Sequence, residues 1–328
     1  MNRHERRAEA VSLKVRVRAE KAHAAETVKQ YPVDLGSDRL AHSVARVAAK
    51  VKRDGDTINT YYPAVAELVI AECMRIAPSS PASDAFFERP APGAIVNWQY
   101  LSRVLAVGDT LFALKDSEGF DVFCQRLRQQ KARPTFFEAF AARMFADLDF
   151  RVTFRPETGI KGQDFDFLAT RGDVKINVEA TTVSGPEYSS VTVRNAIEQK
   201  RKQVPPDAPG VVFVVVPEAW FVGRNNEVMN LLRTDVGECF LKTQRINAVI
   251  FLNEQHEDFD LPDRGHLGYV FDPCLHAEPR HPVLELIPFL DGTLHRPETA
   301  PDEDRLTRMQ TVYQDSPFFR WADTFWNA

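Results

Sequence analysis

Acidic side chains recur at regular spacing in two neighbouring strand-like runs, GQDFDFLATRGDVKINVEATT at residues 162–182. In the first run Asp164 and Asp166 share one face, because successive side chains of a strand point to opposite faces. In the second run the same period places Glu179 on a polar face. The other members of that face are Lys175, Asn177 and Thr181. Clustered carboxylates are the ligands that hard divalent cations prefer.

A tight turn at Arg171-Gly172 would fold the two runs into an antiparallel hairpin. That register places Asp164 directly across from Glu179, with Asp166 as a diagonal neighbour at about 7–8 Å. Like charges this close destabilise a sheet, and Mg²⁺ or Mn²⁺ is the simplest compensation. The sequence therefore predicts a metal site with Asp164, Asp166 and Glu179 as ligands. The alternative is an acidic face turned to solvent and paired with Lys175 or Arg171.

A lysine on the following helix is a candidate partner for these carboxylates. In VRNAIEQKRKQV, Lys200 falls on the apolar stripe and Lys202 falls off it. The stripe consists of Val193, Ala196, Ile197 and Val204. A lysine on the inward side of a helix that packs on the sheet can extend its ammonium to the acidic cluster. The alternative is a lysine whose stem covers apolar surface while its ammonium reaches water. Gln203 would share the same face.

An acid on the preceding helix, Glu138, is the fourth candidate acid of the site. It lies in RPTFFEAFAARMFADLDF, which has the apolar spacing of an amphipathic helix. The spacing Thr135-x-x-Glu138 after Pro134 is also that of a capping box at a helix start. A structural role and a role at the site are compatible, and the spacing leaves both open.

The elements that would hold these residues follow from the periodicity of the surrounding sequence. The amphipathic helix precedes the strand-like FRVTF and the two acidic runs. A helix over about 191–204, the strand GVVFVVVP, a helix over about 226–242 and the strand INAVIFLN follow. The valine-rich strand should be buried on both faces. This order predicts an α/β protein whose mixed sheet is flanked by helices.

The residues before the acidic segment are predicted to be helical, with a cap at Ser37-Asp38 and breaks near Gly108 and Gly119. We divide the chain into a helical N-terminal region at 1–130, an α/β core at 131–260, and a C-terminal extension at 261–328 that packs on the core. The helical region is the candidate surface for a protein partner or a second copy of the chain. The aromatic SPFFRWADTFWN is expected to dock its rings into the body of the protein.

Composition narrows the class of protein. The 328 residues carry a net charge of −5 and are 44% hydrophobic, as in a soluble globular protein. No apolar run approaches the ~18–20 residues of a membrane span. The N-terminus also lacks the apolar segment of a signal peptide, so we predict a cytoplasmic protein without a membrane partner. Phosphate-binding loops and a Gly-x-Ser-x-Gly turn are absent from the sequence, which disfavours nucleotide hydrolysis and serine-hydrolase chemistry.

The helix Glu138, the acid Asp166 followed by FLA, and Glu179 in VEATT together resemble the PD-(D/E)XK, or restriction-endonuclease-like, nuclease superfamily. The resemblance covers roughly residues 130–255 and implies an α-β-β-β-α-β core. It also implies Mg²⁺- or Mn²⁺-dependent phosphodiester hydrolysis of DNA, with Asp166, Glu179 and Glu138 at the site. The choice between Asp164 and Asp166 as the primary ligand stays open at the level of sequence.

The chain departs from that family at one position, because Thr181 stands where the family has a lysine two residues after the strand glutamate. A hydroxyl cannot supply the positive charge with which that lysine assists the reaction. Lys200 is the candidate replacement. The alternative function is a catalytically inactive nuclease-like module that acts as a nucleic-acid-binding or protein-binding scaffold.

Overall fold

The computed structural model describes residues 33–75, 98–129, 132–158, 164–206, 208–258, 265–283 and 316–328. Residues 1–32 of the predicted helical N-terminal region lie outside this part of the chain. The helices are α1 (Asp38–Arg53), α2 (Ile58–Met74), α3 (Trp98–Ala113), α4 (Phe120–Gln129), α5 (Ala132–Ala146), α6 (Ser190–Arg201), α7 (Asn225–Phe240) and α8 (Pro317–Trp326). The strands are β1 (Arg151–Phe154), β2 (Phe167–Arg171), β3 (Val174–Thr182), β4 (Gly210–Val216), β5 (Ile246–Asp258) and β6 (Gly265–Leu275).

The six strands form one mixed sheet in the order β1-β2-β3-β4-β5-β6. Strands β1, β2 and β3 pair antiparallel, β3, β4 and β5 pair parallel, and β5 and β6 pair antiparallel. Each parallel connection contains a helix, α6 between β3 and β4 and α7 between β4 and β5. The predicted α/β class, with a mixed sheet flanked by helices, is therefore confirmed.

Strand β4 is buried along its whole length, as its valine-rich sequence predicts. Its alternate residues enter two different hydrophobic clusters. Val211, Phe213 and Val215 pack in a cluster with residues of α1 to α5 and α8. Val212, Val214 and Val216 pack in a second cluster with residues of α6 and α7. The sheet therefore lies between two layers of helices.

The first cluster runs through both the N-terminal helices and the sheet, so the hydrophobic core is continuous across residue 130. Strand β6 extends the sheet beyond residue 260. The C-terminal helix α8 buries Phe318 and Phe319, as expected from its aromatic sequence. It packs against α1, α2 and α3, and the Tyr61 hydroxyl donates to the carbonyl of Ala322 at 2.7 Å. The part of the C-terminal extension that this helix forms thus lies on the N-terminal helices.

Helix α1 begins where the sequence predicts, with the Ser37 hydroxyl accepting from the Leu40 amide at 3.4 Å. Of the two predicted breaks, only Gly119 separates helices, and it has a positive φ of 77°. The break predicted at Gly108 is wrong, because Gly108 lies inside α3. A β-carbon there would stand 2.6 Å from the β-carbon of Ala66. The glycine lets α2 and α3 approach closely.

This close approach predicts opposite effects of two alanine substitutions. Gly108→Ala should lower the free energy of unfolding by about 1–3 kcal/mol, because the added methyl group overpacks the contact with Ala66. Gly237→Ala, in α7, should raise it by about 0.5–1 kcal/mol, because no described residue outside the local helix backbone has an atom within 4 Å of its β-carbon position. Urea denaturation measures both values. Equal stability of the two variants would contradict the packing argument.

No helix among the described residues combines the length and apolar character needed to cross a bilayer.

Candidate active site

The acidic hairpin has a different register from the one predicted. Arg171 pairs with Val174 and Phe167 pairs with Val178, so the two-residue loop is Gly172-Asp173 and not Arg171-Gly172. Gly172 supplies the positive φ of 57° that this loop requires. Moving the loop by one residue shifts the pairing by two residues.

The corrected register brings Asp166 to the position facing Glu179. The Asp166 amide donates to the Val178 carbonyl at 3.1 Å, which continues the β2 ladder by one residue. The Ala180 amide donates to Asp166 Oδ2 at 2.7 Å. Of the two aspartates, Asp166 is therefore the one that lies beside the strand glutamate.

Asp164 turns away from this pair. Its Oδ1 accepts from the hydroxyl of Thr158 at 2.7 Å, and the Thr158 amide donates to the same oxygen. Its carbonyl accepts from Gln203 Nε2 at 3.2 Å, which ties the residue to the end of α6. The predicted position of Asp164 directly across from Glu179 is therefore wrong.

Glu179 is fully buried on the sheet face that carries the second hydrophobic cluster. Its neighbour on β4 is Val212, whose side chain packs under α6. Lys200 reaches down from α6, and its Nζ lies 2.6 Å from Glu179 Oε2. The prediction that the apolar stripe directs Lys200 toward the carboxylates is confirmed. The Lys200 side chain keeps 18% of its surface exposed, so the ammonium stands between the buried acid and the cleft.

Glu138 enters the site from the opposite layer, on α5. Because α5 begins at Ala132, Thr135 lies inside the helix and the capping box predicted from Thr135-x-x-Glu138 is wrong. The buried Glu138 carboxylate instead forms an ion pair with Arg126 of α4. Arg126 also donates to the carbonyl of Asp166 at 3.3 Å and to the carbonyl of Arg155. One guanidinium therefore connects the helix acid to the segment that carries Asp166.

The charges of this cluster are strongly coupled. Burial and the negative charge of Asp166 raise the pKa of Glu179 to about 9, although Lys200 opposes the rise. Burial and Asp166 likewise raise the pKa of Glu138 to about 8, against the opposing effect of Arg126. For Lys200, burial lowers the pKa, but the charges of Asp166 and Glu179 outweigh it and leave a raised pKa. Among the described residues, the acids Glu138, Asp166 and Glu179 pair with the buried Arg126 and the half-buried Lys200, and further positive charge would stabilise them.

A cleft of about 440 Å³ gives access to the cluster. Its walls include Glu138, Asp166, Thr181 and Lys200. The remaining lining residues are Arg126, Pro134, Thr135, Arg155, Glu157, Asp164, Phe165, Ala180, Thr182 and Gln203. Thr181 therefore opens onto the same cleft as Lys200.

The cluster supplies two neighbouring carboxylates for a divalent cation. In the part of the chain that the structure describes, no group of three or more His, Cys, Asp or Glu side chains has the arrangement of a metal site. The predicted grouping of Asp164, Asp166 and Glu179 is therefore not present among these residues, whereas Asp166 and Glu179 lie side by side. Glu179 Oε1 is buried and has no hydrogen-bond partner among the described residues. An orphaned carboxylate oxygen beside a second carboxylate fits a hard cation.

Two arginines of the cleft, Arg126 and Arg155, are among the lining residues that were not predicted from the sequence. Arg126 is 8% exposed and lies at the edge of the apolar stripe of α4. The spacing of the helix gives no reason to expect burial of Arg126 rather than of Arg128. Arg155 directly follows β1 and is exposed. Its role at the cleft depends on the path of the chain after the strand, for which the sequence carries no signal.

Comparisons of the chain with models of known protein families, with curated proteins and with solved structures find no match. The side chains of the cleft therefore carry the functional assignment.

Proposed function

We propose that the chain is a divalent-metal-dependent phosphodiesterase that cleaves DNA, with a PD-(D/E)XK-like site formed by Glu138, Asp166, Glu179 and Lys200. The observation that carries the proposal is the Glu179–Lys200 contact at 2.6 Å, in a cleft that Asp166 also lines. It supports a site in which two carboxylates and one ammonium converge although Thr181 replaces the family lysine. The helix, three strands, helix and strand from α5 to β4 follow the element order of that superfamily.

Asp166 and Glu179 are the residues that would hold Mg²⁺ or Mn²⁺. When bound, the cation would polarise the phosphate and lower the pKa of a bound water. Lys200 would hold positive charge where negative charge develops on the phosphate. The Ala180 amide keeps Asp166 oriented toward the strand glutamate. Glu138 acts indirectly. It pairs with Arg126, and Arg126 donates a hydrogen bond to the Asp166 carbonyl.

A second candidate function is the inactive module that binds nucleic acid or protein without hydrolysis. One specific observation favours it, because the Lys200 ammonium already neutralises part of the charge on Glu179. In that interpretation the buried ion pair is a structural contact between α6 and β3. The two functions differ in whether a divalent cation binds to the acids and supports cleavage.

Metal removal tests the proposal directly. Purified protein should cleave DNA in Mg²⁺ or Mn²⁺, and excess EDTA should abolish cleavage, because the two carboxylates alone cannot activate water at neutral pH. Single-stranded DNA, duplex DNA and RNA are incubated in parallel with each metal, and the products are resolved by gel electrophoresis. If none of the three polymers is cleaved with either metal, the scaffold function replaces the nuclease function.

A further inference from the structure

One aromatic side chain of the cleft has no place in the hydrophobic core. Phe165 lies between the two aspartates and two residues before Phe167, which is fully buried in the first cluster. Phe165 is only half-buried and belongs to neither hydrophobic cluster of the described residues. Phe165 instead lines the cleft together with Asp166. A half-exposed ring in a polar cleft offers a planar apolar surface to a ligand.

A cation stands next to this ring. The guanidinium carbon of Arg155 lies 6.0 Å from the centroid of Phe165. The Arg155 backbone is held by the Asp166 carbonyl, which accepts from its amide at 3.1 Å. Its side chain is exposed, and among the described residues it forms no ion pair. The cleft therefore places a guanidinium that has no ion pair among the described residues over an aromatic ring, a combination that suits one nucleotide with its phosphate and its base.

We propose that the substrate enters this cleft as single-stranded DNA, with one unpaired base stacked on Phe165 and a neighbouring phosphate bound by Arg155. This inference rests on the proposed nuclease function. Base pairs inside a duplex present only their edges to a protein, because their faces are stacked on one another. A base reaches the Phe165 ring only when it is unstacked. The cleft volume of about 440 Å³ also lies in the range of small-ligand pockets and accepts a nucleotide-sized group.

The test compares the cleavage of a single-stranded oligonucleotide with that of its duplex, in Mn²⁺. Wild-type protein should cleave the single strand faster. Phe165→Leu, which keeps apolar volume but loses the ring, should lower kcat/KM on the single strand by about 10-fold, while Phe165→Tyr should retain it. Phe325→Leu is the matched control, since Phe325 is also half-buried but packs in the core at α8. Thermal denaturation shows whether each variant stays folded.

A binding experiment separates stacking from a structural role of the ring and does not depend on cleavage. Fluorescence anisotropy in Ca²⁺ measures the affinity of each variant for labelled single-stranded oligonucleotides. An abasic nucleotide at the stacked position should weaken binding to wild type but not to Phe165→Leu. Arg155→Ala should reduce the slope of log K against log salt by about 0.7, the value for one lost phosphate contact. Arg151→Ala, on the exposed face of β1, should leave that slope unchanged.

Two outcomes would overturn the inference in distinguishable ways. If the protein cleaves duplex DNA as fast as the single strand and Phe165→Leu matches Phe325→Leu, the inference is wrong and the proposed nuclease function stands. If no polymer is cleaved, the nuclease function is wrong, and the anisotropy experiment then tests the stacking site by itself. Equal binding of intact and abasic oligonucleotides to wild type then removes the stacking site as well.

Discussion

Glu179→Gln is expected to slow the metal-dependent cleavage of DNA by at least about 100-fold, because it removes a carboxylate that would hold the cation. Glutamine has the same shape and can still accept from the Lys200 ammonium, so the contact between α6 and β3 is preserved. The change therefore removes charge at the metal position and little packing. Single-turnover cleavage of a labelled oligonucleotide at saturating Mn²⁺ measures the effect.

The matched control is Glu198→Gln, on a partly exposed position of α6 where the carboxylate pairs with Arg201. It should cleave at the wild-type rate. Calorimetric titration with Mn²⁺ then shows why Glu179→Gln cleaves more slowly. The loss of a ligand weakens Mn²⁺ binding, whereas the loss of a structural contact does not. Equal Mn²⁺ affinity in wild type and Glu179→Gln would show that Glu179 is not a ligand, even if cleavage is slower.

The sequence predicts the elements around the site well because each has a strong period. The valine-rich β4, the amphipathic α5 and the apolar stripe of α6 are all recognisable without a structure, and the stripe correctly directs Lys200 toward the carboxylates. These signals are local. Each depends on which face of an element is buried, and that face is encoded in its own residues.

The pairing of the acids could not be predicted in the same way, because it depends on one residue of a loop. Arg171-Gly172 and Gly172-Asp173 both place a glycine in a tight turn, yet they differ by two residues in register. The first brings Asp164 opposite Glu179 and the second brings Asp166 there. Both aspartates lie on the same strand face, so hydrophobic periodicity does not separate the two registers.

Contacts between distant segments also could not be predicted from the sequence. Arg126 reaches Glu138 of the next helix, and it contacts Arg155 and Asp166 only because the chain returns past α4 after β1. The role of Gly108 likewise depends on packing against a distant segment. Its spacing predicts a helix break, and only the approach of Ala66 explains why a glycine is retained inside a helix.

Lys200→Met should lower the rate of DNA cleavage by about 100-fold, because it removes the ammonium that would stabilise the negative charge developing on the phosphate. Methionine keeps much of the apolar stem, so the packing of α6 is largely retained. Mn²⁺ affinity should not fall, since the ammonium is a competitor for Glu179 and not a ligand. Lys202→Met is the matched control, because Lys202 is half-exposed and pairs with Glu198 at 3.7 Å. It should leave cleavage unchanged.

The double variant Lys200→Met, Thr181→Lys distinguishes a catalytic ammonium from a structural ion pair. Thr181 is two residues from Glu179 on the same strand, so a lysine there shares its face and opens onto the cleft. If the site needs only a positive charge near the carboxylates, the double variant should recover at least about 10-fold of the lost rate. Recovery of thermal stability without recovery of cleavage would mean that the Lys200–Glu179 pair serves the fold alone. A Lys200→Met protein that cleaves at the wild-type rate would remove Lys200 from the catalytic assignment.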